Sequence, residues 1–224
     1  MANVIEVPSY QEDLKELIEQ LGGMIPEDKM VIFNKDAQQL AESYATPLKL
    51  KPGDTAPQFS LTNATGETVS LKDMLAHGAV VLTFYRGIWC PYCNLQLKNY
   101  QMILPQIKES GANLVAISPM TPDNSAGMIE TNALEFEVLS DLGNHLTRQY
   151  TTVFKNNDAP IQAMGEMGYD FFNFYDDTSG ELPVPATFVI AQDGRIVFAN
   201  SAGGDYRNRT EPQAILDVLD ALNT

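Results

Sequence analysis

Cysteine is scarce in this chain of 224 residues: only Cys90 and Cys93 are present. That excludes a disulfide framework as the source of stability, and it leaves no second cysteine pair to complete a four-cysteine zinc site. Histidine is equally scarce, and His77 and His145 stand far apart in sequence. Basic residues are also few, with 14 Lys and Arg against 29 Asp and Glu, for a formal net charge of −15. An acidic surface of that kind disfavours nucleic acid and anionic membranes. No apolar run approaches the ~20 residues a spanning helix requires. The opening segment MANVIEVPSYQEDLKEL lacks the basic and then apolar order of a secretory signal, so the expected location is cytoplasmic. There is no G-x-G-x-x-G and no phosphate-binding loop, and neither a metal nor any other cofactor is expected.

What is present converges on Val80 to Leu97, VVLTFYRGIWCPYCNLQL. Both cysteines and the only tryptophan, Trp89, fall inside it. Val80 to Tyr85 is a β-branched and aromatic run that reads as a buried strand. Arg86 and Gly87 break it. Pro91 suits the first turn of a helix, where a missing N–H costs nothing, which places Cys90 at the N-cap and Cys93 one turn later. Orphan N–H groups and the helix dipole favour a negative charge at that end, and the thiolate is the nucleophilic form of cysteine. Arg86 adds a nearby cation. On this reading Cys90 attacks and Cys93 resolves. The spacing alone leaves two other readings open, a zinc half-site and a pair of inert core cysteines.

The rest of the chain frames that stretch. Residues 1–48 read as a helical extension, with Leu14, Leu17, Ile18 and Leu21 on one face, Ser9 and Glu12 as a capping box, and Gly22-Gly23 as a stop. A second helix is expected from Lys35 to Tyr44. The extension carries no chemistry of its own and reads as a packing arm or a dimer contact. Residues 49–224 form the main domain. It opens with a hairpin around Asn63-Ala64-Thr65-Gly66 and a short helical turn at Leu71–His77. A helix from Pro91 to Glu109 carries Cys93, Leu97, Tyr100, Leu104 and Ile107 on one stripe and kinks at Pro105. Further on come a strand at Asn113–Ser118, a helix ending near Leu134, a strand at Phe136–Leu139 and a helix over Leu142–Val153. The segment 155–180 reads as an irregular insertion tucked against the core. The strand PVPATFVIA turns at Asp193-Gly194 into Arg195–Asn200, and a final helix buries Ile215, Leu216, Leu219 and Leu222. Alternating strands and helices imply an α/β fold with a mixed central sheet and helices on both faces.

Four segments in this order resemble the alkyl hydroperoxide reductase/thiol-specific antioxidant family, the peroxiredoxin-like branch of the thioredoxin superfamily. They are GDTAPQFSLTNATGETVSL, FYRGIWCPYCNLQL, FEVLSDLGNHLTRQY and PATFVIAQDGRIVFA. The resemblance spans about residues 51 to 222 and implies a thioredoxin-like fold. It implies that Cys90 is the peroxidatic cysteine and that Pro185 is a cis-proline beside the cysteines, offering the backbone at Val184 to a substrate. Trp89, Val184 and Pro185 are therefore the candidate substrate-binding positions. Two departures stand out. The threonine or serine that such proteins carry three residues before the peroxidatic cysteine is Gly87 here. The arginine before the following strand is replaced by Pro185, which leaves Arg86 as the remaining candidate for stabilising thiolate and peroxide.

The resemblance implies a thiol-dependent peroxidase. Cys90 would reduce a hydroperoxide, Cys93 would close a disulfide, and a dithiol donor such as thioredoxin or glutathione/glutaredoxin would restore the pair. The C-P-Y-C sequence equally suits a cytosolic thiol-disulfide oxidoreductase acting on protein or small-molecule disulfides. A redox sensor without turnover is a third reading, supported only by the helical extension. A homodimer is expected from the resemblance and from the arm.

Overall fold

The computed structural model describes residues 6–224. Two helices come first, α1 (Tyr10–Met24) and α2 (Glu27–Ser43). Ser9 caps α1, its hydroxyl accepting from the Glu12 amide at 3.4 Å. The glycine pair does not stop α1, which runs through Gly22 and Gly23 to Met24. No tertiary contact opposes helix there, and two glycines cost less than breaking a helix anchored by buried Tyr10, Leu14 and Leu21. Ile18 is 46% exposed, so the buried stripe is narrower than the spacing suggested. Helix α2 begins at Glu27, well before Lys35, because Pro26 starts it and its first-turn acids complement the dipole.

The main body contains β1 (Ser60–Asn63), β2 (Thr68–Ser70), α3 (Leu71–Leu75), β3 (Val80–Phe84), α4 (Pro91–Met102), α5 (Leu104–Glu109), β4 (Asn113–Ser118), α6 (Pro122–Asn132) and β5 (Glu137–Ser140). There follow α7 (Thr147–Tyr150), β6 (Val153–Lys155), α8 (Asp158–Glu166), β7 (Glu181–Pro183), β8 (Ala186–Ile190), β9 (Ile196–Asn200) and α9 (Pro212–Leu222). The central sheet has seven strands in the order β2-β1-β5-β4-β3-β8-β9. Strands β3, β4 and β5 are mutually parallel, and the other pairings are antiparallel. Strand β3 lies between β4 and β8 and is buried throughout. Its side chains alternate between two cores: Val81 and Tyr85 join the face that holds the cysteines, while Val80, Leu82 and Phe84 join the opposite one.

Three local differences from the sequence reading have physical causes. The expected long helix after the cysteines divides at Ile103 (φ −94, ψ 2), two residues before Pro105, whose missing donor cannot sustain the ladder. The expected helix over Leu142–Val153 is cut short by positive φ at Gly143 (71°) and Asn144 (58°). Only Thr147–Tyr150 is α-helical, held by the Asp141 carboxylate, which accepts from Leu146 N, Thr147 N and Thr147 Oγ1. Leu222 is 40% exposed rather than buried, because it lies in the last turn of α9. The segment 155–180 is ordered around α8 and a short 3₁₀ turn at Phe171–Phe174, beside a separate two-stranded sheet of β6 and β7.

The arm is fastened to the far end of the chain. Tyr10 N donates to Glu211 Oε2 at 2.9 Å, Tyr10 Oη to the Arg207 carbonyl at 2.6 Å, and Tyr206 Oη to the Phe33 carbonyl at 2.9 Å. On its other side, Asn99 Nδ2 of α4 donates to Asp13 Oδ2 at 2.7 Å. The loop between β9 and α9 is thus clasped between the arm and the cysteine helix.

Candidate active site

Strand β3 delivers the chain to a turn at residues 85–89, and Cys90 is the N-cap of α4, with Pro91 as its first residue. The Cys90 amide donates to the Gly87 carbonyl (3.1 Å), and the Cys90 carbonyl accepts from Cys93 N (3.0 Å) and Asn94 N (3.1 Å). Asn94 Nδ2 holds the turn further by donating to the Ile88 (2.6 Å) and Cys90 (2.9 Å) carbonyls. This is the strand, turn and capped helix expected from the sequence. Both sulfurs are free thiols and both are buried, Cys90 at 1% and Cys93 at 0% exposure.

Two guanidinium groups stand beside the sulfurs. Arg209, from the loop before α9, donates Nη2–H to Cys93 Sγ at 3.3 Å. Arg86 lies between two rings, with its guanidinium carbon 4.8 Å from the Trp89 centroid and 4.0 Å from that of Tyr206. Each arginine is nearly buried, and each has an Nε–H without a partner. Two adjacent cations favour a thiolate and oppose a divalent metal. Among the described residues, no three His, Cys, Asp or Glu side chains gather as a ligand set.

Burial, two guanidinium groups and the neighbouring sulfur all act on the cysteine pair. Burial opposes ionisation at Cys93, but the Cys90 thiol's hydrogen bond, Arg209 and Arg86 outweigh it and hold the Cys93 thiol well below its ordinary range. Burial and the Cys93 thiolate together push Cys90 well above that range, although it sits at the helix N-terminus. The two thiols therefore titrate as a coupled pair that shares one proton and one negative charge. Arg209 has no local sequence signal that marks it as part of this site.

The position expected for threonine is filled by an aromatic ring. A Cβ built on Gly87 would lie 2.6 Å from Trp89 Nε1 and 3.1 Å from Tyr175 Oη. Trp89 Nε1 donates to Tyr175 Oη at 2.8 Å, and Tyr175 Oη donates to the Arg86 carbonyl at 3.0 Å. Tyr175 lies in the insertion, so that segment is joined to the redox turn by hydrogen bonds as well as by packing.

The cis-proline expectation is corrected: no peptide bond among the described residues is cis, and Pro185 follows a trans bond. Nor is the backbone there open to a partner. Val184 N donates to the Thr152 carbonyl (2.8 Å), the Val184 carbonyl accepts from Thr151 Oγ1 (3.1 Å), and the Pro185 carbonyl accepts from Ser201 Oγ (2.8 Å). Strand β7, ending at Pro183, pairs antiparallel with β6 just before this edge.

A cavity of about 560 Å³ opens over Cys90. Arg86, Trp89 and Cys90 form its floor, α1 and α2 one wall, and α8 with its flanking residues the other. Cys93, Val184 and Pro185 are not among the residues lining it.

The AhpC/TSA family model matches residues 52–199. The chain belongs to this family. A Mycobacterium tuberculosis protein named as a peroxiredoxin is 31% identical over 151 residues, covering 67% of this chain and 85% of that protein. The thiol-disulfide oxidoreductase ResA of Bacillus cereus is 25% identical over 150 residues, covering 66% and 69%. Among solved structures, peroxidoxin BcpB from M. tuberculosis superposes with a TM-score of 0.61 at 22% identity, over 78% of this chain and 99% of that one. As an AhpC/TSA member with peroxiredoxin relatives, the protein is a thiol-based oxidoreductase of the thiol-dependent peroxidase type, with peroxide substrate and thiol reductant as general partners. The extension that carries α1 and α2 lies outside the matched region.

Proposed function

We propose that the protein reduces hydroperoxides through a Cys90–Cys93 dithiol/disulfide cycle. The observation that carries this reading is the division of labour between the sulfurs. Cys90 faces the cavity, while Cys93 lies behind it with Arg209 Nη2 on its sulfur. The Cys93 thiolate takes the Cys90 proton as Cys90 attacks the peroxide. The O–O bond breaks, Cys90 becomes a sulfenic acid, and the departing alkoxide takes the proton from Cys93 and leaves as the alcohol. The Cys93 thiolate then attacks the Cys90 sulfur, forming the disulfide and releasing hydroxide, which is protonated to water. A dithiol donor such as thioredoxin or glutathione/glutaredoxin returns two electrons and restores both thiols. The free Nε–H of Arg86 supplies the donor to the peroxide that Gly87 cannot. A C-x-x-C thiol cycle suits a reducing compartment, so we place it in the cytoplasm.

The alternative, disulfide exchange with a partner chain, is the activity named for the ResA relative. The closed backbone at Val184 and Pro185 argues against it here. Stopped-flow fluorescence of Trp89 in the reduced protein separates the two readings. A fast, peroxide-dependent change that is lost in Cys90→Ser supports the peroxidase. A response no faster than that of a free thiol, with turnover of a mixed glutathione disulfide, overturns it.

A further inference from the structure

The cavity over Cys90 is much larger than a hydrogen peroxide molecule requires, and its size falls in the range of organic-ligand sites. Its walls are built by the two parts of the chain that add most to the redox core, the arm and the insertion. The arm contributes Leu21, Met24 and Phe33, and the insertion contributes Met164 and Met167. Methionine walls adapt to irregular apolar shapes. Met24 is 78% exposed and Tyr169 52% exposed, so the mouth opens between the arm and the insertion. In a chain of net charge −15, Arg86 is the only charged side chain among the described residues that lines this space.

One polar side chain stands out in the wall. Asn156 is 2% exposed and lines the cavity, yet neither its Nδ2 nor its Oδ1 makes a hydrogen bond to another protein group. Its backbone is fixed, with N donating to the Gly180 carbonyl at 2.7 Å. The next residue, Asn157, ties the insertion to α2 through Asp36 Oδ1 at 2.7 Å. A buried carboxamide with both ends unpaired by protein is costly unless a ligand or ordered water completes it. An amide can satisfy donor and acceptor together, its C=O accepting from Nδ2 and its N–H donating to Oδ1, and it does so without adding a charge. An ester or a bare alkyl chain leaves one or both ends unmet.

We infer that this cavity binds hydroperoxides carried on apolar amides, such as an oxidised aliphatic residue within a peptide, with Asn156 pairing to the amide and the methionine walls holding the side chain. The inference rests on the peroxidase reading and narrows its substrate class. The hydroperoxide then reaches Cys90 beside Arg86.

The test compares N-acetyl-leucine methylamide hydroperoxide with cumene hydroperoxide, which is bulky and apolar but has no amide. Wild type is expected to prefer the amide by roughly tenfold or more in kcat/KM. In Asn156→Leu, a change of similar volume, that preference is expected to collapse, with the loss in KM. Binding of the corresponding alcohol, read by Trp89 fluorescence, gives an affinity free of chemistry and is expected to weaken by about tenfold in the same variant. Equal efficiency on both peroxides in wild type, or an unchanged preference in a folded Asn156→Leu protein, overturns the inference and leaves the peroxidase standing. Binding of the alcohol with no peroxide reacting faster than a free thiol overturns the peroxidase reading and upholds the amide site.

Discussion

Arg209 and Cys93 are 116 positions apart in sequence, and Nη2 meets Sγ at 3.3 Å in the core. Replacing Arg209 by Gln removes the charge that holds the thiolate. The first ionisation of the cysteine pair is expected to rise by about 1–3 pH units, followed as ultraviolet thiolate absorbance against pH. Arg209→Lys should recover part of that shift. A purely structural role for Arg209 would lower Tm in both variants without moving the ionisation.

The pair also makes stability depend on pH, with a sign that follows from its two shifts. Cys93 titrates below the ordinary thiol value and Cys90 above it. Between the native Cys93 value and the ordinary one, the unfolded chain binds more protons than the native state. Stability of the reduced protein therefore rises with pH through that window and is lost as pH falls through the native Cys93 value. Above the ordinary value the native state keeps the Cys90 proton that the unfolded chain has released, and the trend reverses. The difference in Tm between wild type and a Cys90→Ser, Cys93→Ser double variant should trace this rise and fall. A flat difference would contradict the shared-proton picture.

Restoring the family's threonine should harm the protein. Gly87→Thr places a Cβ 2.6 Å from Trp89 Nε1 and forces the indole away from Tyr175. The expected cost is about 1–3 kcal/mol, read as a fall in Tm together with a shift in Trp89 emission. Adding Trp89→Leu should recover part of that stability. A Gly87→Thr protein with unchanged Tm and emission would show that the ring yields freely.

Tyr175→Phe deletes the acceptor of Trp89 Nε1 and the donor to the Arg86 carbonyl. Leaving those groups unpaired should cost about 1–3 kcal/mol. The insertion should loosen as well, giving faster amide exchange over 169–176. Protection equal to wild type would mean that packing of Phe171 on Trp89 suffices to hold it.

Much of the redox turn was legible in the sequence because its determinants are local. Val80 to Phe84 are β-branched and apolar, Pro91 fits only a first turn, and Cys90 precedes it, so strand, cap and helix follow from near neighbours. The arm was legible as helices but not as a wall of the site, since its role depends on Tyr206 and Glu211, which sit far away in sequence. Arg209 was invisible for the same reason: a lone arginine in a loop has no spacing to betray it. Pro185 misled because a family position was carried over, while the local partners that fill its backbone, Thr151, Thr152 and Ser201, lie on other segments. The coupling of the two thiols was not legible because the helix end acts locally on Cys90, whereas two guanidinium groups and burial act on the pair.

The clasp between Tyr10 and the segment around Glu211 has a consequence for the order of events during synthesis. A chain leaving the ribosome presents Cys90 and Cys93 long before Arg209 exists. Until that residue arrives, the thiols have one cation nearby instead of two, and the arm has nothing at the far end to grip. Chains interrupted before Arg209 keep a cysteine pair with one cation beside it, so the loop that anchors the arm also completes the charge around the sulfurs.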